Sequence, residues 1–212
     1  MRIFYVLHIS ERVLGDCLEA IRFLSNPAEK HPAHITVRGP YQKRISIKKI
    51  NERWSGEAVR IDRAGNFFDH GQNTVFFHCT CPNLEDVWRK REYSFNPHIT
   101  LYDGRSSVFA RKLYEVVSKY SYGVSFKAGQ LQPIFSAKGQ ESFSLKLAFN
   151  KELVVQVANQ KIDPLSIDGL SEGDRLRIID KLCECISTLS AGSGPQEASA
   201  AVRCSPKPLL QA

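Results

Sequence analysis

The sequence predicts an α+β fold: a bilobal body of two pseudo-symmetric antiparallel-sheet lobes with outer helices and a central cleft. Three observations lead there. Stretches with the alternation of a strand and stretches with the spacing of an amphipathic helix follow one another through residues 1–150. Two short segments, His34-Ile35-Thr36-Val37 and Pro97-His98-Ile99-Thr100-Leu101, repeat one pattern. Each has the same neighbours in the same order: a strand and a helix before it, a helix and two turn-linked strands after it.

The first strand is 2–9, where Ile3, Tyr5 and Leu7 alternate with Phe4, Val6 and His8 and both faces are fairly apolar, as in a central strand. Ser10 is the expected cap of a helix over 11–25, with Val13, Leu14, Cys17, Leu18, Ile21 and Leu24 at helical spacing. Asn26-Pro27 stops it. The first motif strand follows at 33–38, ended by Gly39-Pro40, and then a short helix at 46–54. Strands are expected over 58–68, broken by Gly65, and over 74–81, with the turn Asp69-His70-Gly71-Gln72-Asn73 between them. A helix at 84–92 leads to the second motif strand, 97–102. A longer helix covers 106–120, and strands are expected near 123–135 and 142–149.

The 212 residues fit one domain with an appendage. Residues 1–158 form the domain, and 159–190 a helical extension with Ser171 as cap of a 172–189 helix. The Ala-, Gly-, Ser- and Pro-rich 191–212 is expected to be a disordered tail. The 172–189 helix is amphipathic and is expected to dock on the core or to make a homo-oligomer with another copy. No apolar run is long enough to span a membrane, and six cysteines spread over a chain with no export signal point to reduced thiols in a cytoplasmic protein. The net charge of +7 favours a polyanionic partner, RNA or a nucleotide, although charge alone does not require one.

On a strand, residues two apart share a face. Each motif therefore buries Ile35 and Val37, or Ile99 and Leu101, and presents an imidazole beside a hydroxyl. Imidazoles exchange protons near neutral pH. Two of them on opposite sides of a phosphate can serve as base and acid in a displacement at phosphorus. Thr36 and Thr100 would donate hydrogen bonds to the non-bridging oxygens. This chemistry needs no metal and no cofactor. The bland alternative is a pair of ordinary strands whose histidines are satisfied in the core. Arg38, Tyr41 and Lys43 after the first motif and Tyr102 after the second are candidate substrate-binding residues: a tyrosine to stack on a base, a cation to meet a second phosphate.

Other signals are weaker. In His78-Cys79-Thr80-Cys81 the cysteines share a face and His78 points the other way, so buried strand thiols are favoured over a metal site. Cys183 and Cys185 on the last helix read as packing thiols. His8, His31 and His70 read as isolated.

The two motifs resemble those of the 2H phosphoesterase superfamily, the 2′-5′ RNA ligase-like or cyclic phosphodiesterase family, whose hallmark is a pair of His-x-Thr/Ser-apolar segments. Pro97 matches the proline that commonly precedes the second. The resemblance covers about residues 1–150 and implies a bilobal fold and metal-independent chemistry on 2′,3′-cyclic phosphates or 2′-5′ linkages. It implies His34, Thr36, His98 and Thr100 as catalytic residues, without assigning acid and base. Hydrolysis is expected over ligation, since water is always present as acceptor. The alternatives are a non-catalytic RNA- or nucleotide-binding protein of the same fold, an RNA 2′-5′ ligase, and, least supported, a hydrolase whose histidines hold a metal.

Overall fold

The computed structural model describes residues 2–9, 11–26, 32–81, 83–88, 95–136 and 169–189. Six strands and five α-helices follow in the order β1 (Arg2–Ile9), α1 (Arg12–Ser25), β2 (His34–Tyr41), α2 (Lys48–Trp54), β3 (Ala58–Asn66), β4 (Thr74–Thr80), α3 (Leu84–Val87), β5 (His98–Asp103), α4 (Ser107–Val117), β6 (Ser125–Ser136) and α5 (Glu172–Leu189). A single 3-10 turn, Phe68–His70, links β3 to β4. The fold is mixed α+β with one antiparallel sheet of six strands. The expected strand at 142–149 and the tail 191–212 lie outside the described residues, as does His31.

Several boundaries differ from the expectation for local reasons. Glu11, not Ser10, caps α1: its carboxylate accepts from the backbone N–H of Val13 (3.3 Å) and Leu14 (2.5 Å). Strand β2 continues through Gly39 and a cis Gly39–Pro40 bond to Tyr41. Gly39 makes that passage: its φ is +118°, and a Cβ there would lie 2.7 Å from the Ile3 carbonyl oxygen. Gly65 does not break β3. Helix α3 stops at Val87, with Trp88 already extended. Ser106 caps α4 by accepting from Phe109 N–H (3.1 Å).

The sheet closes on itself in the order β1-β2-β5-β4-β3-β6. Its parts are unequal. Strands β1 and β2, β1 and β6, and β3 and β4 pair over long registers, whereas β2 meets β5 at the single partner pair Ile35↔Ile99. The registers repeat. In β1–β2, Val6 faces Thr36, Leu7 faces Ile35 and His8 faces His34. In β4–β5, Phe76 faces Thr100, Phe77 faces Ile99 and His78 faces His98. Both ladders carry an irregularity just past the threonine, where Tyr5 faces Arg38 and Val75 faces Tyr102. The repeat seen in the order of elements is therefore also a repeat in register.

One side of the sheet is apolar and covered by helices. Leu7, Ile35, Val37, Phe77, Ile99 and Leu101 join the buried faces of α1 and α4 in one continuous core. Helix α5 completes it by packing on α1 and α4 and burying Ile178, Ile179, Leu182, Cys183 and Ile186. Polar contacts fix its position: Lys112–Glu172 (2.8 Å), Lys119–Asp180 (3.2 Å), and Arg175, which donates to the Leu24 carbonyl (3.2 Å) and lies over the Phe109 ring. Ser171 accepts from Asp174 N–H as its cap. The apolar face of α5 that could have met a second copy is thus occupied within the chain. Among the described residues no helix is long and apolar enough to cross a membrane.

If α5 is part of this core, Leu182→Ala should cost about 2–5 kcal/mol of unfolding free energy. Urea melts of the variant check this; a loss under 0.5 kcal/mol would mean that the helix is only loosely attached.

Candidate functional site

The Ile35↔Ile99 pairing decides the geometry of the two motifs. An antiparallel pair has a local twofold between its strands, and here the axis passes between two identical positions of one motif. His34 therefore lies beside Thr100, and Thr36 beside His98. The two isoleucines are fully buried on the core side, so all four polar side chains stand on the opposite face, each half-buried. Diagonal positions of this kind are typically about 7–8 Å apart. The result is a quadrilateral of alternating imidazoles and hydroxyls.

Each ring is held in the same way. His34 Nδ1 lies 2.6 Å from the Pro32 carbonyl oxygen and His98 Nδ1 lies 2.7 Å from that of Asn96. A carbonyl only accepts, so Nδ1 carries the proton in both rings. Helix α1 secures the first of these supports. The buried Arg22 donates to the same Pro32 oxygen (3.1 Å), and Glu19 accepts from Ala33 N–H. The second is secured from β4, where Cys79 N–H donates to the Pro97 carbonyl (2.8 Å).

The outer strands add what sequence reasoning missed. His8 is not isolated: it is the cross-strand partner of His34, with ring centroids 6.1 Å apart. His78 is in the same relation to His98. A signal was present. The segment Phe4-Tyr5-Val6-Leu7-His8-Ile9-Ser10 matches Thr74-Val75-Phe76-Phe77-His78-Cys79-Thr80 in polarity from Tyr5 and Val75 onward, so a His-apolar-Ser/Thr triplet occurs four times in the chain. The halves are alike beyond the two motifs. His98 is also flanked by aromatic rings, Phe76 at 4.8 Å and Phe67 at 5.4 Å between centroids.

The four candidate substrate-binding residues part company. Arg38 is half-buried on β2, directly after the motif. Tyr41 is half-buried with its ring edge-on to Tyr5, 6.0 Å away, and Lys43 is exposed in the following loop. Tyr5 ties that loop down by hydrogen bonds with Ile45 N–H (2.8 Å) and its carbonyl (3.2 Å). Tyr102 is not available for stacking on a base. The ladder irregularity turns it into the α4 contact, where it is buried, packs on Phe109 and accepts from Ser106 N–H (3.1 Å). Cys79 and Cys81 are buried in the core, and desolvation pushes the Cys79 thiol up, so neither is poised as a thiolate. Among the described residues no three His, Cys, Asp or Glu side chains gather as a metal-binding group.

No protein-family model and no curated protein matches this chain, so the reading of the site rests on its own residues. They supply two imidazoles and two hydroxyls on one face of adjacent strands.

Gly65 keeps the second half of the site in place. A Cβ there would lie 2.5 Å from the Phe76 ring, which is wedged between Gly65, Phe67 and His98. Gly65→Ala should therefore cost about 1–3 kcal/mol and shift the His98 ring resonances in NMR while leaving those of His34 in place. Unchanged His98 resonances would show that Phe76 does not brace that ring.

Proposed function

We propose that this chain is a metal-independent phosphodiesterase of the 2H type, acting on 2′,3′-cyclic phosphates or 2′-5′ phosphodiester bonds in RNA ends, cyclic nucleotides or short oligonucleotides. One observation carries the reading: the two His-Ile-Thr strands are related by a twofold through Ile35 and Ile99, and both histidines are held at Nδ1 by a backbone carbonyl two residues back. The bilobal arrangement of that family is consistent with the strand order, which divides into β6-β1-β2 and β5-β4-β3, each carrying one motif.

A phosphate at the centre of the quadrilateral would have an imidazole on either side. The ring that is neutral accepts the proton of the attacking hydroxyl or water at Nε2. The ring that is protonated donates from Nε2 to the departing oxygen. Thr36 and Thr100 donate to the non-bridging oxygens, where charge accumulates as the bonds rearrange. In the next turnover the two rings have exchanged protonation states and water or buffer restores them. Base, acid and oxyanion donors are all side chains of this chain, which is why the proposal invokes no metal. The positive net charge favours such a substrate. Arg38, half-buried beside Thr36 along β2, is the cation placed to meet a further phosphate.

His34→Ala or His98→Ala should each lower turnover of a 2′,3′-cyclic nucleotide or a 2′-5′ dinucleotide by about 10²–10⁴-fold while the far-UV CD spectrum and melting temperature stay close to the parent. Full activity in either variant would end the two-histidine mechanism. Activity should also survive excess EDTA. Tight binding of RNA with no product from any cyclic or 2′-5′ substrate would instead favour a binding protein of the same fold, and joining of a cyclic phosphate end to a 5′-hydroxyl would favour the ligase direction.

A further inference from the structure

His8 and His78 are not used by the proposed reaction, yet they occupy equivalent places in the two halves. Each is the cross-strand partner of a motif histidine, in identical register. Cross-strand partners point to the same side of a sheet, so four of the six histidines in the chain face the same way. They lie on four consecutive strands, β1, β2, β5 and β4, in the order His8, His34, His98, His78. Three interstrand steps at the usual spacing make a strip about 14 Å across.

These outer positions are not apolar core positions that happen to hold histidine. Two residues earlier on the same face, the outer strands carry Val6 and Phe76, both buried, and those apolar side chains face the threonines. In both halves a histidine follows that apolar residue, at the position facing a motif histidine. An imidazole there forgoes the burial free energy that an apolar residue would contribute. His78 is 26% exposed, and its Nδ1 lies 3.7 Å from Asp62 Oδ2, too far for a hydrogen bond. Asp62 also receives the Thr80 hydroxyl and lies 3.3 Å from Arg60 Nε.

We propose that His8 and His78 form two anion subsites flanking the central one, so that the ligand is a nucleic-acid strand with phosphates on both sides of the reacting group. The inference rests on the phosphodiesterase reading only for what happens at the centre. A single phosphate between His34 and His98 is too small to reach the outer rings as well, because the strip is several times wider than a phosphate group. Successive phosphates along one strand are the chemistry that spaces several anions over such a distance. The strand would run across the β-strands, from β1 to β4, and the unit net charge of each phosphate would be met by a separate imidazole. A cyclic mononucleotide would fill the centre and leave the outer subsites empty.

Binding is read directly, in the His98→Ala protein, with fluorescently labelled single-stranded RNA tetranucleotide (three phosphates) and dinucleotide (one phosphate). Adding His8→Gln and His78→Gln should weaken the tetranucleotide at least ten-fold more than the dinucleotide, and Lys at both positions should restore the difference by supplying cations in place of imidazoles. Equal weakening of both probes, no weakening, no tetranucleotide binding by the parent, or failure of lysine to restore it would each overturn the proposal. Melting temperatures of the variants separate loss of a subsite from loss of the fold. If the tetranucleotide result holds but the unmutated chain turns over neither a cyclic nor a 2′-5′ substrate, the proposed catalysis fails and the flanking subsites stand.

Discussion

Ile35 and Ile99 meet across the β2–β5 seam with no exposed surface, and the sheet closes between the two halves at that contact. Their burial is worth about 1.5–3 kcal/mol each, and it fixes the register. A slip of one residue in either strand would put its isoleucine on the polar face and its histidine in the core. The pairing thus sets stability and site geometry at once. Because the same residue of one motif sits on both strands, antiparallel pairing places each histidine beside the other motif's threonine. No loop is needed to bring them together.

The two faces of the sheet then have different work. The outer face is packed by α1, α4 and α5 into one core that includes the isoleucines. Helix α1 reaches from that core to the site through Arg22 and Glu19, which hold the backbone at Pro32 and Ala33, directly before His34. Helix α5 in turn fixes α1, since Arg175 donates to the Leu24 carbonyl at its C-terminal end. The appendage is in this way one contact removed from the support of His34. The second motif is braced differently, by Phe76 and Phe67 from inside the sheet. The halves share a register but not their packing, which is how a symmetric site can have unlike surroundings.

Much of this was legible in the chain. Period-two alternation marked β1, β2, β4 and β5, and helical spacing marked α1, α4 and α5, because each element buries one face and exposes another. The four motif residues were legible because a strand puts alternate residues on one face. What was not legible depended on tertiary partners. Gly65 looked like a strand breaker, yet it is a gap filled by the Phe76 ring from the next strand. Tyr102 had the parity of the site face, but a bulge in the ladder moved it to α4. Residues on β1 and β4 looked unrelated to the motifs because sequence distance hides which strands pair. The cap at Glu11 was missed because a serine one residue earlier met the usual preference, although the glutamate reaches the same donors.

Holding a histidine on a half-buried strand imposes a choice of which ring nitrogen carries the proton. In both motifs the chain meets it with a carbonyl two residues back, from Pro32 and Asn96. A proline in each approach, Pro32 and Pro97, restricts that backbone. The outer histidines lie within β1 and β4. His78 instead has the side chain of Asp62 from β3. The inner rings are therefore oriented by their own main chain, whereas His78 has a carboxylate from the next strand nearby. Four rings that can each take a proton would repel one another when charged. A row of phosphates would relieve that repulsion, whereas a neutral ligand would not, which is why the proposed ligand is a polyanion.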